Sequence, residues 1–551
     1  MKEILEKTLF DFLETKKIEL EPYKVEILKS RNSEFGNYST NLPMKLTKFL
    51  KQNPLTIAEE LKNYLTKNYP KIYDKLTITK PGFVNMFLTT EIVLENALEF
   101  YNPDYNPQFN KLEKCNINYE FVSANPTGDL HVGHARNALV GDATIKVLQA
   151  VGHKVYREFW INDAGMQMEN LAKAIYYYYI KELTGKEPFP KEEVSYKGIE
   201  IEEYGIELAK LHPEFKDLPQ KEVEDKIRPL ARDNFLARMV VIFEQLGLVP
   251  FDKFTSELSF YESGEVNKTI QFLKDKGAAY EKDGAVWLKS EAYGDDKDRV
   301  LVKSDGSMTY VVTDIGYHSN KFSRGFDTLI DLWGADHHGY AQRLKIGVSM
   351  LGHDMSKIQV DFINMVQIKD HGSVVKMSKR AGTSLRIKDI LEMVDPEILR
   401  YSILSKSKEQ SLEIDISKIK EDTQTNPFFY NQYANARIYH IIEKYKNEVN
   451  PVLPHVTKFK ELGKDPKEKE LLLKMVEYSD MIMQAAKEKE PSIVTKYLKD
   501  LAHEFNSYYN VCMVISDDEQ LTNERITLMI ALKNLFEKLF YIIGITPLNK
   551  M

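Results

Sequence analysis

Cysteine and long apolar runs are scarce in this sequence, and each scarcity excludes a class of protein. Cys115 and Cys512 are the two cysteines among 551 residues, so neither a disulfide framework nor a multi-cysteine zinc site is available. No apolar run approaches the roughly 18 residues that a membrane span needs. Residues 1–17 predict an amphipathic charged helix without the apolar core of a signal peptide. We therefore expect a cytoplasmic protein that does not enter a membrane.

The sequence also lacks internal repeats, low-complexity segments and a strong charge imbalance. Hydrophobic residues make up 43% and charged residues 28% of the chain, which is ordinary for a globular protein. A chain of 551 residues is too long for one core, so about two to four domains are expected. The net charge of −7 argues weakly against a nucleic-acid partner, although such binding depends on local patches rather than on the total.

Composition and periodicity divide the chain into three regions. Residues 1–112 form a small α/β unit that ends in the turn-rich linker 101–110. Residues 113–425 form an α/β core with a Lys-, Glu- and Tyr-rich insertion at about 171–300. Residues 426–551 are helical throughout, with little strand signal.

Local patterns predict individual elements within these regions. Helices are predicted over 4–13, 42–50, 57–65, 171–183 and 227–246. Strand-like pieces occur over 76–78, 83–87, 284–289 and 309–312.

A strand, a turn and a helix follow one another between residues 116 and 153. Residues 116–122 are rich in β-branched and aromatic side chains, as in a buried strand. The Asn, Pro, Thr, Gly and Asp of residues 123–129 predict a turn. Apolar residues then recur at helical spacing from Ala135, and Gly152 is a suitable C-terminal stop. Such a turn in a doubly wound sheet offers free N–H groups and a positive dipole to phosphate.

His131, Gly133 and His134 lie at this turn as H-x-G-H. A histidine pair could also bind a metal or be simple surface polarity, so the pattern alone does not decide its role. A second segment, KMSKRAGT at 376–383, has three cations within five residues and a nearby glycine. These residues indicate a loop that closes on phosphates, with a solvated basic loop as the alternative. The two segments together favour the phosphate-binding interpretation.

In type and order these segments resemble the two ATP-binding signatures of the class I aminoacyl-tRNA synthetases. The resemblance implies a Rossmann-like catalytic core in which a substrate carboxylate attacks the α-phosphate of ATP, assisted by Mg²⁺. Because the nucleophile is already ionised, the site must supply positioning and charge neutralisation rather than a general base. The catalytic residues implied are His131, His134, Lys376 and Lys379, and the ATP-binding residues are His131, Gly133, His134, Lys376, Met377, Ser378, Lys379 and Arg380.

Further blocks make the sequence similar to the arginyl-tRNA synthetases over essentially its whole length. They are EFVSANPTGDLHVGHARNALVGDA, WINDAG, TYVVTDIGYH, WGADHHGYAQRLK, NPFFYNQYANARI, the terminal ITLMIALKNLFEKLFYIIGITPLNKM, and FGNYSTNLPMKL and PGFVNMFL near the start. The resemblance implies ligation of L-arginine to tRNA(Arg) through an arginyl-adenylate, by a monomer. It assigns tRNA-elbow binding to residues 1–112, catalysis to 113–425 and anticodon binding to 426–551.

Three alternatives to this function are compatible with parts of the sequence. Another class I specificity would keep the reaction and change the amino acid. A non-catalytic tRNA-binding paralogue is disfavoured because both histidines of the first signature and both lysines of the second are present. A free-standing nucleotidylyltransferase also uses an H-x-G-H turn, but such chains are usually short and lack a helical C-terminal module.

The residue types also suit arginine, whose planar guanidinium is best held by carboxylates and aromatic hydroxyls. The resemblance assigns the amino-acid end of the substrate to Glu120 and Asn125, and its side chain to Tyr310, Asp314 and Gln342. Which carboxylate meets the guanidinium stays open. The spacing from Tyr310 to Asp314 places both on one side if the segment is already helical there, whereas a helix N-cap is the alternative role for Asp314.

Asp336, His337 and His338 have the residue types of a metal site. Adjacent histidines tend to point apart, however, and no second cluster supplies further ligands at known spacing. We therefore predict no zinc and a position for this segment along the ATP site.

By resemblance, Phe83 and Asn85 contact the tRNA elbow and Tyr433 contacts the tRNA in the C-terminal domain. Lys80 stands where some relatives carry an amide side chain, which counts against base-specific contact there. The lysine-bearing segments 369–388 and 444–469 are candidate phosphate contacts, although a solvated surface explains the second equally well.

A run of aromatic residues begins the C-terminal region. It could stack on unpaired bases or belong to the core, and its members are Phe428, Phe429, Tyr430 and Tyr433.

Overall fold

A computed structural model describes residues 1–20, 25–30, 33–109, 112–375, 385–423 and 425–550 of the chain. These residues form four sheets surrounded by helices. Within the same ranges, no helix combines the length and apolar character required to cross a bilayer.

The N-terminal region is an antiparallel sheet covered by helices. Its elements are α1 (Lys2–Thr15), β1 (Ile27–Lys29), β2 (Tyr38–Thr40), α2 (Leu42–Leu50), α3 (Pro54–Asn68), β3 (Tyr73–Thr79), β4 (Phe83–Leu88) and α4 (Thr90–Ala97). The strand order is β1-β2-β4-β3. Val84, Met86 and Leu88 of β4 are fully buried, because alternate residues of a strand share one face. The helices and strands predicted for this region are confirmed.

The central region is built on a parallel sheet. Its elements are β5 (Asn116–Glu120), α5 (Val132–Ala150), β6 (Lys154–Ile161), α6 (Met166–Thr184), α7 (Ile199–Leu211), α8 (Gln220–Gln245), β7 (Lys253–Ser256), α9 (Glu257–Glu262), α10 (Glu265–Asp275), β8 (Ala279–Lys282), β9 (Ala285–Leu288), β10 (Arg299–Val302), α11 (Tyr310–Ser323), β11 (Thr328–Gly334), α12 (His338–Met350) and β12 (Ile358–Ile363). The strand order is β12-β11-β5-β6-β7. The order changes direction between β5 and β11, which is the point at which doubly wound sheets bind ligands.

The predicted strand, turn and helix at residues 116–153 are confirmed as β5, α5 and the connection between them. Helix α5 ends at Ala150, and Gly152 has a φ of 98°, a left-handed conformation that glycine adopts without strain.

The stretch 171–300 contains more than an insertion. Helices α6, α7 and α8 pack on a core of their own, and the helices predicted at 171–183 and 227–246 are confirmed. Strand β7, however, pairs in parallel with β6 and belongs to the central sheet. Beyond it, β8, β9 and β10 form a separate antiparallel sheet, in which β9 confirms the strand predicted at 284–289.

The strand predicted at 309–312 is wrong, because helix α11 begins at Tyr310. The β-branched residues Thr309, Val311 and Val312 suggested a strand. Thr309 holds the entry to the helix, since its N–H donates to the carbonyl of Leu301. Burial of Val312 on the core side of the helix then outweighs the weak helix propensity of a β-branched side chain.

The chain leaves the central sheet through a short mixed sheet and ends in helices. These elements are β13 (Val366–Asp370), β14 (Ser373–Val374), α13 (Ile387–Leu391), α14 (Pro396–Leu404), β15 (Leu412–Asp415), α15 (Ile416–Ile419), α16 (Pro427–Glu448), α17 (Pro466–Val476), α18 (Tyr478–Glu488), α19 (Ser492–Tyr509) and α20 (Glu519–Ile543). The helical character predicted for the C-terminal region is confirmed. Arg400 of α14 is buried and fixes the helices to the core, donating to Asp142 of α5 at 2.9 Å and to the carbonyl of Ile543 at 3.3 Å.

Candidate active site

The candidate site lies along the carboxyl edge of the central sheet, where β5 and β11 end side by side. Two groups of side chains occupy this edge. We call the first the turn end, comprising His131, Gly133, His134 and the adjoining residues 385–388. We call the second the carboxylate end, comprising Glu257, Tyr310, Asp314 and Tyr340.

The turn end is the first turn of α5, and its two histidines fix each other. His131 is the N-cap residue, and its Nδ1 accepts a hydrogen bond from the N–H of Gly133 at 3.1 Å. The N–H of His131 donates in turn to Nδ1 of His134 at 3.2 Å. The two rings stack with their centroids 3.8 Å apart. Together these contacts form a capping box made of histidines.

These hydrogen bonds determine which ring nitrogens carry protons. Because Nδ1 accepts in both rings, a neutral ring must carry its proton on Nε2. Burial lowers the pKa of His131, and burial together with the neighbouring His131 lowers the pKa of His134 to about 3. The turn end therefore presents two neutral Nε2–H donors beside the free N–H groups of a helix N-terminus, an arrangement that suits phosphate oxygens.

Gly133 is required by the fold of His131. A Cβ placed on Gly133 would lie 2.9 Å from Cε1 and 3.1 Å from Nδ1 of the His131 ring. The missing side chain thus allows the N-cap ring to fold back over the helix start.

The segment that follows the second signature is hydrogen-bonded to the turn end. The N–H of Val132 donates to the carbonyl of Leu385 at 3.3 Å, and the N–H of Ile387 donates to the carbonyl of Leu130 at 2.9 Å. Residues 376–384 lie outside the described ranges, so the roles predicted for Lys376, Met377, Ser378, Lys379 and Arg380 stay predictions. Leu385 and Ile387, which follow this segment, are nevertheless hydrogen-bonded to residues on either side of His131.

Three cations surround the carboxylate of Asp129, two residues before His131. Nη1 of Arg238 lies 3.7 Å from Oδ1, and Nη1 of Arg386 and Nζ of Lys388 each lie 3.6 Å from Oδ2. Arg386 is also paired with Asp389 at 2.7 Å, and Glu200 lies near the same cations, so carboxylates balance these positive charges.

The carboxylate end is formed by α11, α12 and the start of α9. Tyr310 and Asp314 lie one turn apart on α11, so the N-cap role considered for Asp314 is wrong. The phenol of Tyr340 on α12 donates to Oδ2 of Asp314 at 2.5 Å. Tyr310, with 55% of its surface exposed, forms the open side of this group.

Glu257 adds a second carboxylate that the sequence did not reveal. It is 5% exposed and directly follows β7, the edge strand of the same sheet. Burial, with further contributions from Asp314 and Asp163, raises the pKa of Glu257 to about 7. Burial likewise raises the pKa of Asp314 to about 6. Two carboxyls with raised pKa values beside the exposed ring of Tyr310 make this group a candidate binding site for a cationic ligand.

Tyr340 and Glu257 were not among the residues predicted from the sequence, and the sequence carries a signal for each of them. Tyr340 belongs to the quoted block WGADHHGYAQRLK, so that block already marked its neighbourhood. Glu257 follows a strand of four residues, and periodicity over so short a run does not reveal a strand. A parallel strand end at Ser256 would have pointed to Glu257.

Glu120 ends β5 and is buried behind this pocket. Its Oε1 accepts from Oγ of Ser123 at 2.9 Å, and its Oε2 accepts from Nζ of Lys321 at 2.6 Å. The other two residues predicted to bind the amino acid, Asn125 and Gln342, are exposed at the sheet edge. Their roles stay predictions.

The described residues contain one group of three potential metal ligands, Glu120, His318 and Asp331. The ammonium of Lys321 lies 2.6 Å from Glu120 and 3.1 Å from Asp331. A cation of the protein therefore already pairs with both carboxylates, and the group does not fit a resident metal ion. In the segment considered for zinc, His338 stacks on Phe362 with centroids 3.6 Å apart.

The residues predicted to contact RNA differ in how far they are exposed to solvent. Asn85 is 3% exposed, and its amide donates to Oγ1 of Thr79 at 2.7 Å. Phe83 is partly buried on the same strand. Tyr433 is partly buried on α16, and its hydroxyl donates to Asp422 at 2.8 Å. None of these observations assigns a ligand, and the tRNA contacts stay predictions.

One member of the aromatic run is not a stacking platform. Phe428 is buried and packs edge-on against Tyr401 and Phe429, with centroids 6.1 Å and 5.1 Å away. Its ring belongs to the contact between α14 and α16, so the base-stacking interpretation is wrong for Phe428. Phe429 and Tyr430 are partly buried.

Comparison with known proteins gives the same picture over the whole chain. Three family models match: the "Arginyl tRNA synthetase N terminal domain" at residues 1–88, the "tRNA synthetases class I (R), catalytic domain" at 102–423 and the "DALR anticodon binding domain" at 431–551. An arginine–tRNA ligase of Staphylococcus epidermidis is 37% identical over 532 residues, which are 96% of this chain and 94% of the relative. One from Staphylococcus aureus is 36% identical over 538 residues, covering 97% and 95% of the two chains.

A solved structure shows the same fold. The arginyl-tRNA synthetase of Thermus thermophilus superposes with a TM-score of 0.78 over all of both chains, at 20% identity. The Rossmann-like catalytic core, the N-terminal domain and the helical C-terminal domain are thus those predicted. This chain belongs to the arginyl-tRNA synthetase family of the class I aminoacyl-tRNA synthetases.

Proposed function

We propose that this chain ligates L-arginine to tRNA(Arg) in two steps at the sheet edge described above. ATP first activates arginine as arginyl-adenylate, and the tRNA then accepts the arginyl group. The observation that carries the proposal is the pairing of opposite chemistries along one edge. Neutral donors at a helix N-terminus meet the triphosphate at the turn end, and carboxylates with raised pKa values meet a cation at the carboxylate end. No observation on the described residues favours another amino acid or a non-catalytic paralogue.

At the carboxylate end, Asp314 and Glu257 hold the guanidinium. Asp314 has one oxygen engaged by Tyr340 and the other available, and Glu257 supplies a second acceptor. Two acceptors match the fork of N–H donors on arginine, whereas a lysine ammonium would lack the second parallel bond. Tyr310 and Gln342 close the pocket from the solvent side.

Glu120 serves the other end of the amino acid. Both of its oxygens already accept one hydrogen bond, from Ser123 and from Lys321, so its position is fixed. Its remaining lone pairs accept from the α-ammonium, with Asn125 alongside. This division leaves the guanidinium to the carboxylates with raised pKa values.

At the turn end, the activation step needs charge neutralisation and alignment. The arginine carboxylate attacks the α-phosphorus, the bond from that phosphorus to the bridging oxygen breaks, and the electron pair leaves with pyrophosphate. His131 and His134 donate Nε2–H to phosphate oxygens, and Gly133 permits that geometry. The departing pyrophosphate is bound by Lys376 and Lys379, together with their neighbours Met377, Ser378 and Arg380. Mg²⁺ arrives bound to the triphosphate, whose oxygens it prefers.

The second step transfers the arginyl group to the terminal adenosine of the tRNA. Its 2′-hydroxyl attacks the carbonyl carbon of the adenylate, AMP leaves and the hydroxyl proton is released. Phe83 and Asn85 contact the tRNA elbow, and Tyr433 contacts the anticodon side. We propose that the enzyme acts as a cytoplasmic monomer.

The test is ATP–pyrophosphate exchange with each standard amino acid, with and without tRNA. Among the standard amino acids, we expect only arginine to support exchange. We expect this exchange to occur only when tRNA is present. Exchange with a different amino acid would contradict the assignment of the carboxylate end. Absence of exchange with all amino acids in the presence of tRNA would contradict catalysis altogether.

A further inference from the structure

A closed set of charged side chains lies directly behind the carboxylate end. His318 and Lys321 come from α11, Asp331 from β11 and Glu120 from β5. Their exposed fractions are 2%, 0%, 0% and 7%, so water does not compensate their charges. Each charge must therefore be balanced by another member of the set.

Both ring nitrogens of His318 face hydrogen-bond acceptors. Nδ1 lies 2.8 Å from the carbonyl oxygen of Asp314, and Nε2 lies 2.9 Å from Oδ2 of Asp331. A carbonyl oxygen can only accept, so Nδ1 must carry a proton. A neutral imidazole has one N–H, and it would then meet Asp331 with a bare nitrogen against an oxygen.

A protonated Asp331 would relieve that clash, but Lys321 disfavours it. Nζ of Lys321 lies 3.1 Å from Oδ1 of Asp331. Burial would raise the pKa of this carboxyl, yet Lys321 and His318 beside it hold the pKa well below its usual range. Asp331 is therefore ionised, and both nitrogens of His318 must donate.

The charges of the set also balance only when His318 is a cation. His318 and Lys321 then match Glu120 and Asp331, two charges of each sign. Glu158 of β6, which also faces Lys321, has its own partner in Arg324 at 2.6 Å. Tyr317 packs against the His318 ring with centroids 5.5 Å apart and its phenol is neutral, because burial raises its pKa.

We infer that His318 is held as a doubly protonated imidazolium and is the positioning residue of the guanidinium pocket. It fixes the backbone of Asp314 one turn before it on α11, and its charge balances the set behind the pocket. The carboxylates of Asp314 and Glu257 are then left for the substrate guanidinium, which supplies the positive charge. The role in arginine binding rests on the proposed function, whereas the protonation state does not.

The first experiment observes the wild-type protein. Nitrogen-15 NMR of the histidine side chains at pH 7.5 reports the protonation of each ring nitrogen. At that pH an ordinary exposed histidine is mostly neutral, since its pKa is about 6.5. The ring of His318 is assigned through its contacts with the Tyr317 ring. We expect both of its nitrogens to give protonated-type signals, and one unprotonated nitrogen would overturn the inference.

The second experiment separates positioning from simple structural support. His318→Gln keeps a donor but removes the charge. We expect the KM for arginine in pyrophosphate exchange to rise about tenfold, with kcat and the KM for ATP within about threefold of wild type. His353→Gln is the matched control, because His353 contacts the other face of the same helix through Ser319 at 2.9 Å. It should leave all three constants unchanged.

A parallel loss of kcat and of both KM values in His318→Gln would show a merely structural role and overturn the positioning inference. If that variant does not fold, the NMR result on the wild type still decides the protonation state. Failure of arginine-dependent exchange in the wild type would instead contradict the proposed function, and it would leave the NMR result intact.

Discussion

The turn end and the carboxylate end share one sheet edge but differ in how they bind a charged ligand. One end presents neutral donors and the other presents carboxyl groups. At the turn end the two candidate donors, His131 and His134, are neutral, and the positive character comes from the N-terminus of α5. At the carboxylate end Glu257 is buried and Asp314 is partly buried, and the pKa of each carboxyl is raised. The first arrangement needs no counter-charge, whereas the second disfavours the ionised carboxylates unless a cation pairs with them.

This difference explains where the pKa values move. Histidine at the turn end is driven neutral by burial, so its donors do not titrate near neutral pH. Asp314 and Glu257 are driven towards their neutral forms by the same burial. Substrate binding therefore costs little proton rearrangement at one end and requires ionisation at the other. Mutations and pH should consequently affect ATP and arginine separately.

The largest effect is expected from Asp314→Asn. Removing one partner of a buried charge pair costs about 2–5 kcal/mol, so kcat/KM for arginine in pyrophosphate exchange should fall about a thousandfold. The KM for ATP should stay within about threefold. Asp233→Asn, whose side chain is 64% exposed on α8, is the control and should behave like wild type. An equal rise in both KM values would remove the distinction between the two ends.

His134→Ala tests the turn end in the same assay. Loss of one preorganised donor typically costs about 10²–10³ in kcat, so exchange should slow about a hundredfold while the KM for arginine changes little. We predict the same pattern for Lys379→Ala. Filter binding should show that both variants still bind tRNA. His212→Ala on the insertion is the control. Loss of tRNA binding in step with activity would contradict these roles.

The pH dependence should differ between the two substrates. Asp314 and Glu257 have raised pKa values of about 6 and about 7, so each is neutral below its pKa and binds a guanidinium only above it. Arginine affinity should therefore fall as the pH drops from 8 to 6, by about tenfold. The KM for ATP should not share this trend, because the pKa of His134 is about 3. If arginine affinity and the KM for ATP changed with pH in the same way, the titrating group would not be Asp314 or Glu257.

The smallest effect is expected from Gly133→Ala. The new Cβ would lie 2.9 Å from the His131 ring, so the ring must shift and its donor moves off the phosphate. We expect the KM for ATP to rise roughly three- to tenfold, with arginine binding unchanged. Thermal unfolding provides the control, since alanine in a helix normally raises stability by about 0.4–1 kcal/mol. A lower melting temperature with normal ATP affinity would contradict this assignment.

The sequence predicted the strand, turn and helix that form the turn end because the signals for these elements are local. A β-branched run, a turn and a helical period follow one another in the chain, and hydrogen bonding within the turn then fixes His131 and His134. Nothing in that argument depends on distant residues. Resemblance to a family added the order of the domains and the residues of the second signature.

The carboxylate end was only partly predictable because it is assembled from distant segments. Asp314 came from family resemblance, and the local pattern around it suggested a strand where α11 begins. Glu257 depends on β7 joining the edge of the central sheet, which no local period reveals. The partners of His318 lie on β11 and within its own helix, so its charge could not be inferred before the fold was known.

The pairing of β5 with β11 has a consequence for folding during synthesis on the ribosome. Asn116 and Asp327, which hydrogen-bond at the start of this pairing, are 211 residues apart. A ribosome that adds about 5–20 residues per second needs roughly 10–40 s to cover that distance. During this interval β5 has emerged with one edge unpaired, and unpaired edges invite association with other chains. Helices α6–α8 are made in the same interval and pack on their own core, so part of the nascent chain can fold while the active-site strand waits for its neighbour.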